Sequence, residues 1–510
     1  MMKIGLDIFD QTLAKEWEIF LILRHEDRFF TTEELSATTN LTISQVLKIV
    51  TKLINDLEDF GTDTMEVVFS KGKGARFVAK ELQTNPRKFL IFLVEETLGF
   101  KLLKSILNED YVSTSNFAYE NFVSDSTVRR QLNKFRDNLH KFDLEITRSD
   151  ALLSGNEKQA RLFLNMILWR IYAGEGWPFE AVNELHIDYL ATNILKESGL
   201  SLTPIQKRQL MFFLAIGIIR RRNHHYVEFE ASWGELTDNN EAYTYFKDHI
   251  RPFTSFIDDY PGEVALLFFL LIIQSENLEV IQILYSNFEE NKKNNSFLYQ
   301  ATQAFYDNVS QDVKTIPEDL KDVILLSTFS SHLFTHLFKN FSTDISGYDY
   351  SVILDTVLSK PVLPNLKKNI LSMIRSLYNE TKLDLFLEED YLVTKYALIL
   401  TLIKAQTYFE PVIKIKISTD LPLLINLRLQ ERINNLFGNS YRLEFLNATN
   451  PDHGDVLLTN ISLPRETKDY EKVNIVYINR NLTVRNIIIL SNVLFDISKQ
   501  KTTKEISSSD

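Results

Sequence analysis

Apolar residues recur along residues 126–142 at alternating spacings of three and four: Val128, Leu132, Phe135, Leu139 and Phe142. That spacing places one apolar stripe along a helix. The opposite face carries Arg129, Arg130, Lys134, Arg136 and Lys141 against Asp137 alone, a local net charge of +4. A polar opener precedes the helix, and Ser126 is the expected N-cap. Two β-like runs follow, 144–148 and 151–154, joined at Ser149 and Asp150. A basic helix followed by a small hairpin is how a winged helix-turn-helix meets DNA. The plain alternative is a solvated amphipathic helix beside an unrelated hairpin.

Residues 1–82 repeat the layout. A periodic helix is predicted over 11–23, then a short helix over 33–38 capped by Thr32, a turn at Asn40, Leu41 and Thr42, and a longer helix over 44–60 that Gly61 stops. Strands are predicted over 65–69 and 76–79, joined by Lys71, Gly72, Lys73 and Gly74. Ser44, Gln45, Lys48 and Lys52 on the helix, with Lys71, Lys73 and Arg76 on the wing, are the candidate DNA contacts of this first copy. An ordinary hairpin with solubilising lysines is the bland reading of that tip. It is not a phosphate loop, because no strand-to-helix Gly-Lys-Ser/Thr follows. The second copy spans 83–158, with a first helix over 86–98, a short helix over 113–121 and the helix described above. Its candidate DNA contacts are Ser126, Thr127, Arg129, Arg130, Lys134 and Arg136.

From 159 to 405 the pattern is helical throughout. Long apolar-faced helices over 205–222 and 322–339 are each followed by another, over 262–274 and 391–405. This loose duplication predicts two bundles, 159–278 and 279–405. From Pro411 the texture changes to strands over 412–418, 441–448, 455–459 and 473–478, with helices over 423–437 and 482–497. Strand and helix in alternation predict a small α/β domain over 406–500 with a mainly parallel sheet. The polar tail 501–510 is expected to be disordered. The fold class is therefore mainly α and multidomain.

Composition narrows the function. At 510 residues the chain is too long for one core. It has no cysteine, which excludes disulfides, thiolate metal sites and cysteine nucleophiles and fits a cytoplasmic location. The first 20 residues carry acidic groups within their apolar run, unlike a signal peptide, and apolar runs such as 266–273 are far shorter than a membrane span, so no membrane is expected. The net charge of −12 argues against nonspecific coating of nucleic acid. Residues 1–150 carry 20 Lys and Arg against 24 Asp and Glu, so any basic surface is local. No nucleophile elbow, phosphate loop or paired-carboxylate motif stands out; no cofactor and no enzyme activity are expected.

This order of parts resembles the Mga/AtxA-type virulence regulators of Gram-positive bacteria. The nearest local echoes are residues 124–146, the run after the second wing over 153–164, and residues 453–460. The resemblance implies two winged helices, two phosphotransferase-regulation (PRD-like) bundles and an enzyme IIB-like domain. It implies a dimeric transcription regulator, an activator, that binds double-stranded promoter DNA. It also implies control through histidine phosphorylation by the phosphocarrier protein or an enzyme II of the sugar phosphotransferase system. His332 lies in a run resembling the family's Leu-x-x-His helix, with His336 one turn on; the bland reading is a packed histidine pair. In the first bundle the candidates are His224 and His225, where a polar helix end is the plainer reading. A metal site from these two with Glu228 would place three ligands in one loop. Residues 418–422 occupy the place of the enzyme IIB phosphoacceptor loop but offer neither cysteine nor glycine. This points to an interaction role, in oligomerisation. The competing class is a protein-interaction scaffold that uses winged helices without sequence-specific DNA binding.

Overall fold

The computed structural model describes residues 5–61, 64–80, 85–200, 202–254, 260–274, 281–313, 316–345, 347, 364–405, 407–447, 449–452, 454–462, 473–478 and 482–507. The chain divides into two compact units: residues 1–299 with 333–348, and 300–332 with 349–510.

The first unit opens with a winged helix built from α1 (Gln11–His25), α2 (Thr32–Thr39), α3 (Ile43–Phe60), β1 (Met65–Ser70) and β2 (Gly74–Ala79). Local chemistry sets these limits. Thr31, not Thr32, caps α2 in a reciprocal box with Glu34, and Thr42 caps α3 in the same way with Gln45. Between them Asn40 takes the left-handed conformation at φ 55°, which turns the chain sharply. Val46, Ile49, Val50, Leu53 and Leu57 of α3 are buried, as the spacing predicts. The wing is tied back by a bridge between Phe30 and Ala75, whose N–H groups donate to each other's carbonyls at 2.8 and 2.9 Å. Gly74 makes this approach possible, since a Cβ there would stand 1.9 Å from the Phe30 carbonyl oxygen.

The second winged helix contains α4 (Pro86–Glu95), α5 (Leu98–Asn108), α6 (Thr114–Glu120), α7 (Asp125–Leu139), β3 (Leu144–Ile146) and β4 (Leu153–Gly155). Here the expected single helix over 86–98 is corrected to two. Thr97 starts a second helix by accepting from Phe100 N at 3.2 Å, just after the acidic pair Glu95 and Glu96. The N-cap of α7 is Ser124 rather than Ser126; it accepts from Thr127 N at 3.2 Å. Both wings are shorter or longer than predicted by a few residues, and both pair antiparallel.

Behind the second wing, α8 (Glu157–Tyr172) is buried on nearly every side. It is followed by α9 (Glu184–Glu197), α10 (Pro204–Arg222), α11 (Ala231–Thr237), α12 (Glu241–Thr254), α13 (Pro261–Gln274) and α14 (Ile281–Lys293). Next come α15 (Phe297–Val313), α16 (Glu318–Leu337), α17 (Pro364–Thr381) and α18 (Glu389–Ile403), of which α15 and α16 contribute to both units.

The second unit ends in an α/β domain. Strands β5 (Ile413–Ser418), β6 (Leu443–Leu446), β7 (Val456–Thr459) and β8 (Asn474–Tyr477) form one parallel sheet in the order β6-β5-β7-β8. Helices α19 (Leu423–Phe437) and α20 (Val484–Ser507) cover it. Ile413, Ile415, Val456 and Leu458 of the central strands pack with Leu429, Ile433, Leu490 and Leu494 of the helices. The expected disorder of the tail is corrected over 501–507, where α20 continues. Lys501 holds it down by donating to the Val412 carbonyl at 2.7 Å and to Asp455 at 2.6 Å. Residues 508–510 lie outside the described residues. Among the described residues no helix is long and apolar enough to cross a membrane.

Candidate nucleic-acid interface

The basic residues proposed from sequence fall into two groups, and their partners separate them. On α7, Arg129 and Arg130 are exposed and make no hydrogen bond or ion pair among the described residues. Ser126 and Thr127 stand at the N-terminus of the same helix, joined to the Ser124 hydroxyl at 2.7 and 2.9 Å. Lys134 and Arg136 do something else. The Lys134 ammonium donates to the Asp7 carbonyl. Arg136 donates from Nε to the Ile146 carbonyl at 3.0 Å and from Nη2 to the Thr147 carbonyl at 3.0 Å, which fastens the wing to its helix. Both cations thus have partners within the fold.

The first copy divides in the same way. Lys48, Lys71 and Ser44 are exposed, and Lys73, also exposed, lies 6.0 Å from the Phe29 ring. Gln45 is held by its own capping box, its Oε1 accepting from Thr42 N at 2.9 Å. Arg76 pairs with Asp27 at 2.9 Å. The Lys52 ammonium is bound to Asp56 and, at 2.7 Å, to Glu16. Glu16 is completely buried, and one of its carboxyl oxygens has no hydrogen-bond partner among the described residues. Burial pushes its pKa up to about 8, with Lys52 opposing that shift.

Three features escaped sequence reasoning. Arg148 is exposed in the loop of the second wing. Tyr119 and Phe122 are 82% and 97% exposed beside the start of α7, and Phe122 forms the turn with φ 55°. A bulky residue in that left-handed region is strained. The only sequence signal was the pair of aromatics in a short polar stretch.

The third feature is a buried ionic network that ties the second winged helix to the helical body. Arg161 of α8 makes a two-pronged bond to Glu263 of α13 at 2.7 and 2.6 Å and reaches Glu157 at 2.8 Å. Arg220 of α10 bonds Glu157 at 2.8 Å, Glu109 after α5 at 3.0 Å, and the Leu153 carbonyl of β4 at 3.1 Å. Arg221 adds a bond to Glu263 at 3.0 Å. Burial raises the Glu263 carboxyl, but Arg161 and Arg221 outweigh it and hold its pKa below the ordinary value.

The four histidines occupy different settings. His224 is exposed, with φ 64°. His225 is partly covered, and its Nε2 lies 2.6 Å from Glu109. His332 is completely buried, with Nδ1 3.2 Å from the Thr302 hydroxyl and Nε2 2.6 Å from the Tyr396 hydroxyl. In this conformation neither ring nitrogen of His332 faces solvent. His336 is half-buried, 3.1 Å from the Ser232 hydroxyl and against the Phe297 ring. Burial lowers its pKa to about 4, helped by the charges of Lys339 and Lys158. Among the described residues no group of carboxylates and histidines has the arrangement of a metal site. The loop that would carry a phosphoacceptor is closed by an Asp420–Asn460 pair at 2.5 Å and a Thr419–Asn426 bond at 2.6 Å.

Residues 84–168 match the family described as the Mga helix-turn-helix domain. The chain is 27% identical over 241 residues to the capsule synthesis positive regulator AcpB of Bacillus anthracis, covering 47% of this chain and 48% of that protein. It is 20% identical over 226 residues to a putative trans-acting regulator of Streptococcus pneumoniae serotype 4, covering 44% of each. The chain thus spans about half the length of the curated relatives it matches. The match to the Mga helix-turn-helix domain and the likeness to AcpB bear out the resemblance to Mga/AtxA-type regulators.

Burial of His332 generates a pH prediction. Its pKa falls to about 3 from an ordinary 6.5, so the unfolded chain takes up a proton that the folded one refuses. Stability is fully present above pH 6.5 and is lost as pH falls below it, by about 2 kcal/mol at pH 5. Thermal unfolding between pH 7 and 5 should show this loss in the second unit, and His332→Gln should flatten it. A wild-type profile without slope in that window contradicts the burial.

Proposed function

We propose that this Mga/AtxA-type chain is a DNA-binding transcription regulator, an activator, whose two winged helices read promoter DNA as a homodimer in the cytoplasm. One observation carries the reading: Arg129 and Arg130 stand unengaged on α7 beside a wing, within the stretch that matches the Mga helix-turn-helix domain. The relatives' names, a capsule synthesis positive regulator and a trans-acting regulator, agree with it. Lys48, Lys71, Lys73 and Arg148 extend the same surface. Each cation that reaches a phosphate releases counterions, and base edges are read by the few side chains that enter the groove.

Control by the phosphotransferase system is the second half of the proposal. Of the histidine pair on α16, His336 is the better acceptor. It is partly open, and the charges of Lys158 and Lys339 already bear on its ring. A phosphoryl group would bring nearly two negative charges to those lysines and turn repulsion into attraction. For oligomerisation, the enzyme IIB-like domain offers exposed apolar residues on both helices: Leu423, Leu424 and Leu427 on α19, and Val484 and Ile488 on α20.

The scaffold reading keeps one observation in its favour. Exposed Tyr119 and Phe122 suit a protein contact as well as a duplex. Salt separates the two, because only DNA binding falls steeply as salt rises.

Binding to a duplex selected from random sequence by the full chain should weaken at least about tenfold in Arg129→Ala/Arg130→Ala, with a salt slope reduced by roughly two. Lys134→Met should leave that slope unchanged. An undiminished double variant removes the second reading head from the proposal.

Incubation with phosphorylated phosphocarrier protein should add a phosphoryl group to the peptide carrying His336, and His336→Ala should abolish it. No modification, or modification that persists in the variant, contradicts this site.

A further inference from the structure

Neighbouring domains of one chain swing freely unless a substantial apolar surface joins them. The two winged helices are joined by two apolar seams on different elements. At the first, Phe20 of α1 and Phe60 at the end of α3 meet Phe89 and Phe92 of α4. The Phe89 ring stands 5.3 Å from Phe20 and 5.4 Å from Phe60, and Phe92 stands 5.5 Å from Phe60. Phe20 and Phe89 are completely buried. Phe20 also meets Phe77 of β2 edge-on at 5.6 Å, which carries this seam to the first wing.

The second seam is made by the residues that lead into α1. Asp10 caps that helix, accepting from Leu13 N at 2.8 Å. Phe9, directly before it, packs edge-on against Phe100 of α5 at 5.8 Å and Phe135 of α7 at 6.4 Å, and all three rings are buried. The backbone of the same stretch is held as well. Gln131 of α7 donates to the Ile8 carbonyl at 2.7 Å, and Lys134 donates to the Asp7 carbonyl. Gly99 permits the approach, since a Cβ there would stand 2.7 Å from Phe9 Cα and from its carbonyl oxygen. A swing about one seam opens the other and separates aromatic rings that are closely packed.

We propose that these two seams make the winged helices one rigid reading unit, so that the DNA read by one chain is a bipartite site with its two boxes at one fixed separation and helical phase. Heads on a flexible tether reach a range of spacings, with an effective concentration set by the tether; a fixed pair reaches one. The engagement of both heads rests on the DNA-binding proposal. The rigid pairing does not, and is measured without DNA.

The chain has no cysteine, so Ala37→Cys on α2 and Asn116→Cys on α6, both exposed, take spin labels at those two places alone. Pulsed dipolar EPR of the full chain should give a single narrow distance. On a duplex selected from random sequence, footprinting should show two protected boxes, one of them lost in Arg129→Ala/Arg130→Ala. Insertion of five base pairs between the boxes, about half a helical turn, should weaken binding about tenfold or more. Phe9→Ala should broaden the distance and shrink the loss on insertion. A broad or multiple distance in the otherwise wild-type chain overturns the rigid pair, and so does a Phe9→Ala variant that changes neither reading. A duplex bound equally well with and without the insertion overturns the fixed spacing while leaving DNA binding intact. A single narrow distance with no duplex bound overturns the bipartite site together with the DNA-binding reading.

Discussion

Arg220 is 1% exposed, yet it touches three parts of the chain: Glu157 at the start of α8, Glu109 at the end of α5, and the Leu153 carbonyl of the second wing. With Arg161, Arg221 and Glu263 it makes a buried network of matched charges. Burying these groups is costly, and the cost is offset only while every partner is in place. Removal of any one leaves an opposite charge stranded in a low-dielectric interior. The network therefore fixes how the second winged helix is held by the body.

The same accounting explains how an acidic protein presents a basic surface. Several of its cations have partners within the chain: Lys52 has Glu16 and Asp56, Lys134 a backbone carbonyl, Arg136 two carbonyls of the wing. What remains is a small set that is open, led by Arg129 and Arg130. With so few open cations, the surface is basic only locally.

Much of this architecture was legible in the sequence, because it rests on local periodicity and capping. The stripe from Val128 to Leu139 is the buried face of α7, and the alternating runs after Pro411 are strands of one parallel sheet. Boundaries were read less well where several capping groups compete. Ser124 and Ser126 both offer a hydroxyl at the start of α7, and Thr97 starts a helix only two residues after α4 ends. The role of each cation was not legible, since Lys134 finds its partner at Asp7, far away in sequence. The helical tail depends in the same way on Lys501 meeting Val412 and Asp455. For the histidines, spacing marked His332 and His336 as a pair but could not say that one is sealed between Thr302 and Tyr396 while the other is partly open.

The central claim is that the buried network couples the second winged helix to the helical body. A double-mutant cycle of Glu109→Gln and Arg220→Met, read by hydrogen exchange of the β4 and α5 amides, tests it most directly. The account predicts that each single change loosens both elements and that the two are coupled by about 1 kcal/mol or more. Losses that simply add, within about 0.3 kcal/mol, would contradict it.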